Sequence, residues 1–197
     1  ALGAELDTPA RLAVDGDGRV LIGDTGNQRV RVVDVDGTIE TVAGHAPAFE
    51  PVLDAPGHIA ADGAGRVCFS DPLAAVVERV DAPSSFVGLA GDGVTGFTGD
   101  GGPATASGLS RPQAFAFDPA GRLVIADAND FRIRRVEADG TLSTIAGDGE
   151  IGVVSGPDGA PALTSPIGIV KALAVDPAGR VWFCWPPACL PSSASPR

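Results

Sequence analysis

The chain repeats itself, and this repetition constrains its fold more than any other feature of the sequence. Three copies of equal length align from end to end, and a partial fourth copy follows them. The copies cover residues 6–44, 53–91, 109–147 and 163–185. An aspartate occupies the same place in every copy, at Asp15, Asp62, Asp118 and Asp176. The spacing between these aspartates varies, so the unit is constant and the linkers between units differ. Such repeats are typical of folds in which each unit buries its faces against its neighbours.

Each unit has the periodicity of short β-strands separated by tight turns. Alternation of apolar and polar residues in the first unit predicts that Leu12, Val14, Val30 and Val32 point inward. Clusters of Asp, Asn and Gly, which favour tight hairpins, lie between the apolar runs. We predict four strands in the first unit, near residues 11–15, 19–24, 29–34 and 38–43. The corresponding strands of the third unit are predicted near residues 113–118, 122–127, 132–137 and 141–146.

Four strands in each unit favour a β-propeller, in which four-stranded antiparallel sheets form blades around an axis. We predict an all-β fold with about three and a half blades in residues 1–185. This would be a partial propeller or a fragment of a larger one. We expect the Pro- and Ser-rich residues 186–197 to be a poorly ordered tail. An open blade edge would be a site for self-association, because its backbone groups are unpaired.

The repeated skeleton resembles the NHL repeat, a β-propeller blade motif. The matching residues of the first unit are Ala13-Val14-Asp15, Gly18, Leu21-Ile22, Asp24, Asn27, Arg29-Val30 and Val32. Those of the third unit are Ala116-Phe117-Asp118, Gly121, Val124-Ile125, Asp127, Asp130, Arg132-Ile133 and Val136. The Gly-rich linker at residues 90–105 is similar to the inter-blade segments of bacterial NHL proteins. The resemblance implies a propeller that typically has six blades, in a bacterial protein that is extracytoplasmic or secreted.

Charge and hydropathy exclude several classes of function. The formal net charge is −11, whereas nucleic-acid-binding proteins normally carry a basic surface that neutralises phosphates. An anionic membrane surface is disfavoured for the same reason. No run of about 18 apolar residues is present, so we predict no membrane span.

Six polar residues at equivalent positions of the first and third units are our candidates for a ligand-binding surface. They are Asp24, Asn27, Arg29, Asp127, Asp130 and Arg132. A structural interpretation competes for each of them. The aspartates would be turn caps that accept backbone N–H groups, and the arginines would lie on solvated strand faces, paired with nearby acids.

No catalytic residue, metal ligand or cofactor is assigned from the sequence. The string at residues 15–18 resembles the start of a calcium loop but lacks the further ligands, so we interpret it as a hairpin turn. The two histidines, His45 and His58, fall short of the three or four ligands that a transition-metal site needs. The Gly-rich residues 99–102 have no lysine or following helix, so we interpret them as a flexible connection and not a phosphate loop.

The three cysteines, an odd number with no tight spacing, argue against a disulfide framework. Cys68 lies in an apolar run and is predicted to be a core residue. Whether Cys184 and Cys189 pair is left open.

Three functions fit these observations. The favoured one is a non-catalytic binding scaffold that presents blade loops to a protein or glycan partner. The alternative is a metal-dependent propeller enzyme, a lyase or lactonase-like hydrolase with a site in the central channel. The third is a structural section of a longer repeat protein with no site of its own.

Overall fold

The computed structural model describes residues 3–44, 53, 56–82, 85–98, 100–152 and 159–185. Its described strands form three four-stranded antiparallel sheets and one two-stranded hairpin. The first sheet contains β1 (Pro9–Val14), β2 (Val20–Asp24), β3 (Arg29–Val33) and β4 (Ile39–Gly44). The second contains β5 (Ile59–Ala61), β6 (Val67–Asp71), β7 (Val76–Ala82) and β8 (Ser85–Ala90). The third contains β9 (Pro112–Phe117), β10 (Leu123–Asp127), β11 (Arg132–Val136) and β12 (Leu142–Ala146). The hairpin contains β13 (Ala172–Val175) and β14 (Val181–Cys184).

The sheets have the order and the packing of propeller blades. In each four-stranded sheet the strands pair in chain order, as an antiparallel meander. The first strands of successive sheets contact one another, β1 with β5, β5 with β9 and β9 with β13, so they form the innermost layer around an axis. The predicted all-β propeller fold is therefore confirmed, and the strands predicted for the first and third units lie within two residues of the observed ones. The predicted tail at residues 186–197 lies outside the described residues.

The recurring aspartate closes the first hairpin of each blade. Asp15 Oδ1 accepts hydrogen bonds from the backbone N–H groups of Asp17 and Arg19, at 3.0 and 2.9 Å. Its Oδ2 accepts one from the Arg19 guanidinium at 2.7 Å. The same arrangement is repeated at Asp62, Asp118 and Asp176. The carboxylates are occupied by hairpin donors, in agreement with the interpretation of residues 15–18 as a turn.

The glycine that ends each full unit is required by a close backbone contact. Gly147 has a φ of +88°, and a Cβ there would lie 2.2 Å from the carbonyl oxygen of Phe131. Phe131 itself has a left-handed φ of +50° where the chain enters β11. Gly44 and Gly91 meet the equivalent carbonyls in the first and second blades. The glycine thus allows the outer strand to approach the start of the strand beside it.

The core lies between the blades. One apolar cluster joins each pair of neighbouring sheets, and the inner strand of each later blade contributes to the contact with the blade before it. Ile59, Phe115 and Leu173 occupy the same repeat position and are all buried. Leu12 occupies that position in the first blade and is 70% exposed.

The prediction that Leu12 and Val14 point inward is therefore wrong for the described residues, whereas Val30 and Val32 are buried as predicted. Both faces of a blade are built to be packed. Among the described residues, no sheet precedes the first blade to cover the face that carries Leu12 and Val14.

Two further expectations concern cysteine and membranes. Cys68 is fully buried between the second and third blades, as predicted, and burial raises the pKa of its thiol to about 12. Cys184 is exposed and unpaired among the described residues, and Cys189 lies outside them. None of the helices in the described part of the chain is long and apolar enough to cross a membrane.

Candidate ligand-binding face

All six predicted site residues lie at one end of the blades, where the second strand turns into the third. We call this end the β2–β3 end, after the turn at residues 25–28 of the first blade. The inner strands also begin here, because they run antiparallel to the second strands. Loops from several blades therefore meet around the axis at this end.

Asp24 is fully buried, so it is not the surface residue that the sequence predicted. Its Oδ1 accepts the backbone N–H of Asp7 at 2.8 Å, which ties the segment before β1 to the end of β2. The Asn27 amide donates to both carboxylate oxygens, at 3.1 and 2.9 Å. The Arg31 guanidinium lies 3.5 Å from Oδ2. This carboxylate holds the blade together.

Asp127 is the equivalent residue of the third blade and is also fully buried, contrary to the predicted surface position. It accepts the backbone N–H of Ser110, as Asp24 accepts that of Asp7. Asp130 stands where the first blade has Asn27, so an amide donor is replaced by a second acid. Asp127 Oδ2 has no hydrogen-bond partner among the described residues and lies 3.6 Å from the Arg134 guanidinium. Burial, reinforced by the negative charge of Asp130, raises the pKa of Asp127 to about 7.

The remaining predicted residues, Asn27, Arg29, Asp130 and Arg132, are half-buried. Arg132 donates to the backbone carbonyls of Asp130 and Asp148, at 3.1 and 2.8 Å, and its guanidinium lies 4.1 Å from the centre of the Phe97 ring. These contacts position loops of the third blade. The structure does not bring the candidates of the first and third blades into one cluster, and their role in ligand binding stays a prediction.

Arg134 corrects the expectation that the arginines of the third strands lie on solvated faces. Its side chain is fully buried and donates to Asp100 Oδ1 at 2.9 Å and to the carbonyl of Gly108 at 3.2 Å. Asp100 belongs to the Gly-rich linker between the second and third blades, and Gly108 lies between that linker and β9. In the linker, the Gly101 N–H donates to the carbonyl of Leu142 in β12, and the Leu142 N–H donates to the carbonyl of Gly102. The described residues of the linker are therefore bound to the blade and do not form a loose connection.

His58 immediately precedes β5, and the centre of its ring lies 5.0 Å from that of Phe115. Burial, followed by the positive charge of Arg11, lowers the pKa of His58 to about 4, so the ring is neutral near pH 7. His45 lies outside the described residues. Within the described ranges, no group of three His, Cys, Asp or Glu side chains is placed to hold a metal ion.

A pocket of about 290 Å³ opens at the β2–β3 end, where the first three blades converge. Blade one contributes the start of β1, blade two the turns before β5 and after β6, and blade three the start of β9. The lining residues are Ala10, Arg11, Thr25, Pro56, Gly57, Pro72, Leu73, Arg111 and Gln113. We call this depression the mouth pocket.

The described lining of the mouth pocket carries two cationic side chains, in a protein with a formal net charge of −11. Arg11 and Arg111 form no ion pair with any residue that the structure describes. None of the described residues that line the pocket is a carboxylate. Lys171 extends the positive surface, because its Nζ donates to the Gln113 side chain at 2.9 Å. Unpaired arginine donors beside a concave surface can bind a ligand that carries hydrogen-bond acceptors or negative charge.

Arg11 and Arg111 are not among the six residues that the sequence predicted for a ligand-binding surface. The signal that could have found them is that they break the repeat. Arg11 aligns with His58, Ala114 and Ala172, and Arg111 aligns with Thr8 and Ile169. A residue that a blade needs for folding recurs in other blades, as the Asp–Arg hairpin pair does.

A larger cavity, of about 590 Å³, lies at the opposite end between the second and third blades. Its three arginines are neutralised by acids: Arg66 pairs with Asp62, Arg79 with Asp81, and Arg122 with Asp118. These pairs belong mainly to the hairpin turns of the repeat. The cavity therefore offers few free donors, and the mouth pocket is the better candidate for ligand binding.

Comparison with known families and structures agrees with this architecture. Residues 6–33 match the NHL repeat family, which confirms the resemblance for these residues of the first blade. No curated protein matches the chain in sequence.

Solved structures share the fold at low sequence identity. A protein of unknown function from Bacteroides thetaiotaomicron is 16% identical, with a TM-score of 0.70 over 87% of this chain and 43% of its own. An auxiliary nutrient binding protein from Bacteroides ovatus is 17% identical, with a TM-score of 0.67 over 88% and 46%. Virginiamycin B lyase from Staphylococcus aureus is 16% identical, with a TM-score of 0.54 over 89% and 48%. The chain spans less than half the length of each of these structures.

Proposed function

Starting from a β-propeller whose first blade carries an NHL repeat, we propose that this protein is a non-catalytic binding scaffold. Its partner is a protein or a glycan, and the contact is made at the β2–β3 end. The observation that carries this proposal is the mouth pocket, where two arginines that form no ion pair with a described residue lie beside residues from three different blades. No single blade could form such a surface.

The fold supports binding at this place because the pocket is supported by rigid elements. Arg11 and Gln113 belong to inner strands that are hydrogen-bonded to the rest of their blades. The Thr25 hydroxyl donates to the carbonyl of Pro56 at 2.9 Å, which connects the first blade to the second across the pocket. A surface that is held in place before binding loses little conformational entropy when a ligand arrives.

The structural neighbours are consistent with this proposal without deciding it. They include both a nutrient binding protein and a lyase, so the shared fold accommodates binding and catalysis. What favours binding here is the chemistry of the mouth pocket, which supplies cationic donors and apolar walls. The acidic and histidine side chains nearby, Asp24, Asp71 and His58, lie outside the pocket lining.

The proposal is tested by screening the protein against arrays of immobilised glycans and peptides, and repeating the screen with two variants. Ala10→Trp places a large side chain in the mouth pocket, and Ala120→Trp does the same in the cavity at the opposite end; both alanines are exposed. We expect Ala10→Trp to abolish binding and Ala120→Trp to retain it. The bound ligand should be recovered with its mass unchanged. The proposal of a non-catalytic scaffold is rejected if Ala10→Trp displaces no ligand. It is also rejected if the protein turns the ligand over and this turnover stops when metal is chelated.

A further inference from the structure

We infer that the mouth pocket recognises carboxylate side chains on an acidic peptide segment of a protein partner. This inference rests on the proposed binding function and specifies its ligand. In this inference, Arg11 and Arg111 donate hydrogen bonds to the carboxylates of the peptide. The residues that the sequence singled out at this end of the blades are instead occupied in holding the blades together.

The arginines of the mouth pocket differ from most other arginines of the described chain. Eight arginines of the described chain form ion pairs with aspartate or glutamate, and they are Arg19, Arg31, Arg66, Arg79, Arg122, Arg134, Arg135 and Arg180. With acids in large excess, an arginine on this surface readily finds a partner within the chain. Neither of the two arginines that line the mouth pocket forms such a pair with a described residue.

Neither arginine makes contacts with described residues that would assign it a structural role. Arg11 makes one side-chain hydrogen bond, to the carbonyl of the adjacent Ala10 at 3.2 Å, and this bond is exposed. Arg111 has no side-chain hydrogen bond among the described residues. By contrast, Arg19 and its three equivalents repeat the same hairpin contact in every blade. Arg11 and Arg111 therefore retain nearly all their donors for a ligand.

The guanidinium groups of the two arginines indicate the chemistry of the ligand. A guanidinium presents parallel N–H donors that match the two oxygens of a carboxylate, and such charge-assisted pairs are stronger than neutral hydrogen bonds. The Gln113 amide and the adjacent Lys171 ammonium add donors at the rim. Because the described lining residues include no carboxylate, an anionic ligand meets no like charge from them.

The composition and size of the mouth pocket favour a peptide over a glycan. None of the described lining residues is aromatic, whereas sugar rings are commonly held against an aromatic ring. The apolar surface of the pocket comes from Pro56, Pro72 and Leu73, which suit the aliphatic part of a glutamate side chain and its backbone. A volume of about 290 Å³ accommodates a few side chains and not a folded surface. An extended, acidic segment fits these dimensions.

The overall charge of −11 does not prevent this contact. At physiological ionic strength, charges separated by more than about 8 Å are largely screened. The peptide carboxylates would respond mainly to the arginines they touch, and the acids on the outer strands would act only weakly. The affinity for the peptide should therefore depend on the charges that line the pocket and not on the net charge of the protein.

The experiment measures fluorescence anisotropy of two labelled peptides, one with six glutamates between Gly-Ser flanks and one with six glutamines in their place. We expect the wild-type protein to bind the glutamate peptide at least about 10-fold more tightly than the glutamine peptide. Arg11→Gln and Arg111→Gln should each weaken that binding about 10-fold. Arg180→Gln, which removes the same charge at a 72% exposed side chain of the last hairpin, should leave it unchanged within about two-fold. Circular dichroism melts verify that each variant is folded.

The possible failures are distinguishable. Equal binding of the two peptides, or an equal loss with Arg180→Gln, would overturn the inference, because local carboxylate recognition predicts neither. If the array identifies a glycan that Ala10→Trp displaces while the glutamate peptide does not bind, the inference is wrong and the binding scaffold stands. If Ala10→Trp displaces nothing from the array and the glutamate peptide does not bind, both are wrong.

Discussion

Replacing Asp130 with asparagine should stabilise the protein above neutral pH. The first blade already contains this arrangement, because Asn27 donates to both oxygens of the buried Asp24, at 3.1 and 2.9 Å. In the third blade the same place holds an acid, and Asp127 Oδ2 is buried with no hydrogen-bond partner among the described residues. Asp130→Asn would supply that donor and remove a like charge.

The magnitude follows from the protonation of Asp127. Its pKa is about 7 in the folded protein, against an ordinary value of 3.8, chiefly because of burial and secondly because of Asp130. The folded state therefore keeps a proton that the unfolded state has lost between about pH 4 and pH 7. Since the folded state binds more protons, stability falls as pH rises through this window, by up to about 1.4 kcal/mol per pH unit. The whole effect is at most about 4 kcal/mol.

Asp130→Asn should recover part of this loss. Burial still raises the pKa of Asp127, but the charge of Asp130 no longer contributes and an amide donor faces the carboxylate. A hydrogen bond to a charged group contributes about 1.5–3 kcal/mol. We expect the variant to be about 2 kcal/mol more stable than the wild type at pH 8, with little difference at pH 4.

Urea denaturation followed by circular dichroism at pH 4, 5, 6, 7 and 8 measures this difference directly. The reciprocal variant Asn27→Asp is the matched control, because it places a second acid beside Asp24. It should lose about 2 kcal/mol at pH 8 and acquire a steeper fall in stability with rising pH. The reasoning is refuted if Asp130→Asn is no more stable than the wild type at pH 8, or if its stability falls with pH as steeply.

Three further predictions use the same denaturation assay. Gly147→Ala should cost at least about 2 kcal/mol, because its Cβ would overlap a carbonyl oxygen; Gly121→Ala, at a similar φ but with open space, should cost about 1 kcal/mol. Leu12→Ala should change stability by no more than about 0.5 kcal/mol, whereas Phe115→Ala, at the same repeat position but buried, should cost about 3–5 kcal/mol. Burial raises the pKa of Asp118, but the hydrogen bonds that its carboxylate accepts have the larger combined effect, so the pKa lies below its ordinary value. The stabilisation by this carboxylate is therefore present above about pH 4 and is lost as the pH falls below that value. Asp118→Asn should therefore destabilise the protein at pH 7 and the difference should shrink at pH 3.

Each of these has an outcome that contradicts it. Equal losses for the two glycine variants would mean that the close carbonyl contact is relaxed in solution. A loss of several kcal/mol for Leu12→Ala would show that this face is covered, for example by self-association, which sedimentation at several concentrations would detect. A pH-independent loss for Asp118→Asn would assign its contribution to packing.

The blades could be predicted from the sequence because their determinants are local and repeated. Strand alternation, hairpin aspartates and the closing glycines act over a few residues and occur in several copies. Even an irregular second unit, with Ala74 where Asn27 stands in the first, forms its four strands. For this reason the sequence predicted the strand positions and the hairpin turn at residues 15–18.

Burial was less predictable because it depends on residues that are distant in the chain. The repeat pattern alone assigned Leu12 and Phe115 the same environment, but only Phe115 has a blade packed over it. Arg134 aligns with the half-buried Arg31, yet it is fully buried because the linker residue Asp100 pairs with it. Neither difference is encoded within one blade.

The sequence by itself determined the strands, the turns and the repetition that makes them blades, since each depends on backbone preferences and on side-chain alternation within one unit. The tertiary structure decided where the free positive charge lies. Arg11 and Arg111 are far apart in the chain and have no repeat signature in common, and they reach the same pocket only because the inner strands of successive blades converge on the axis.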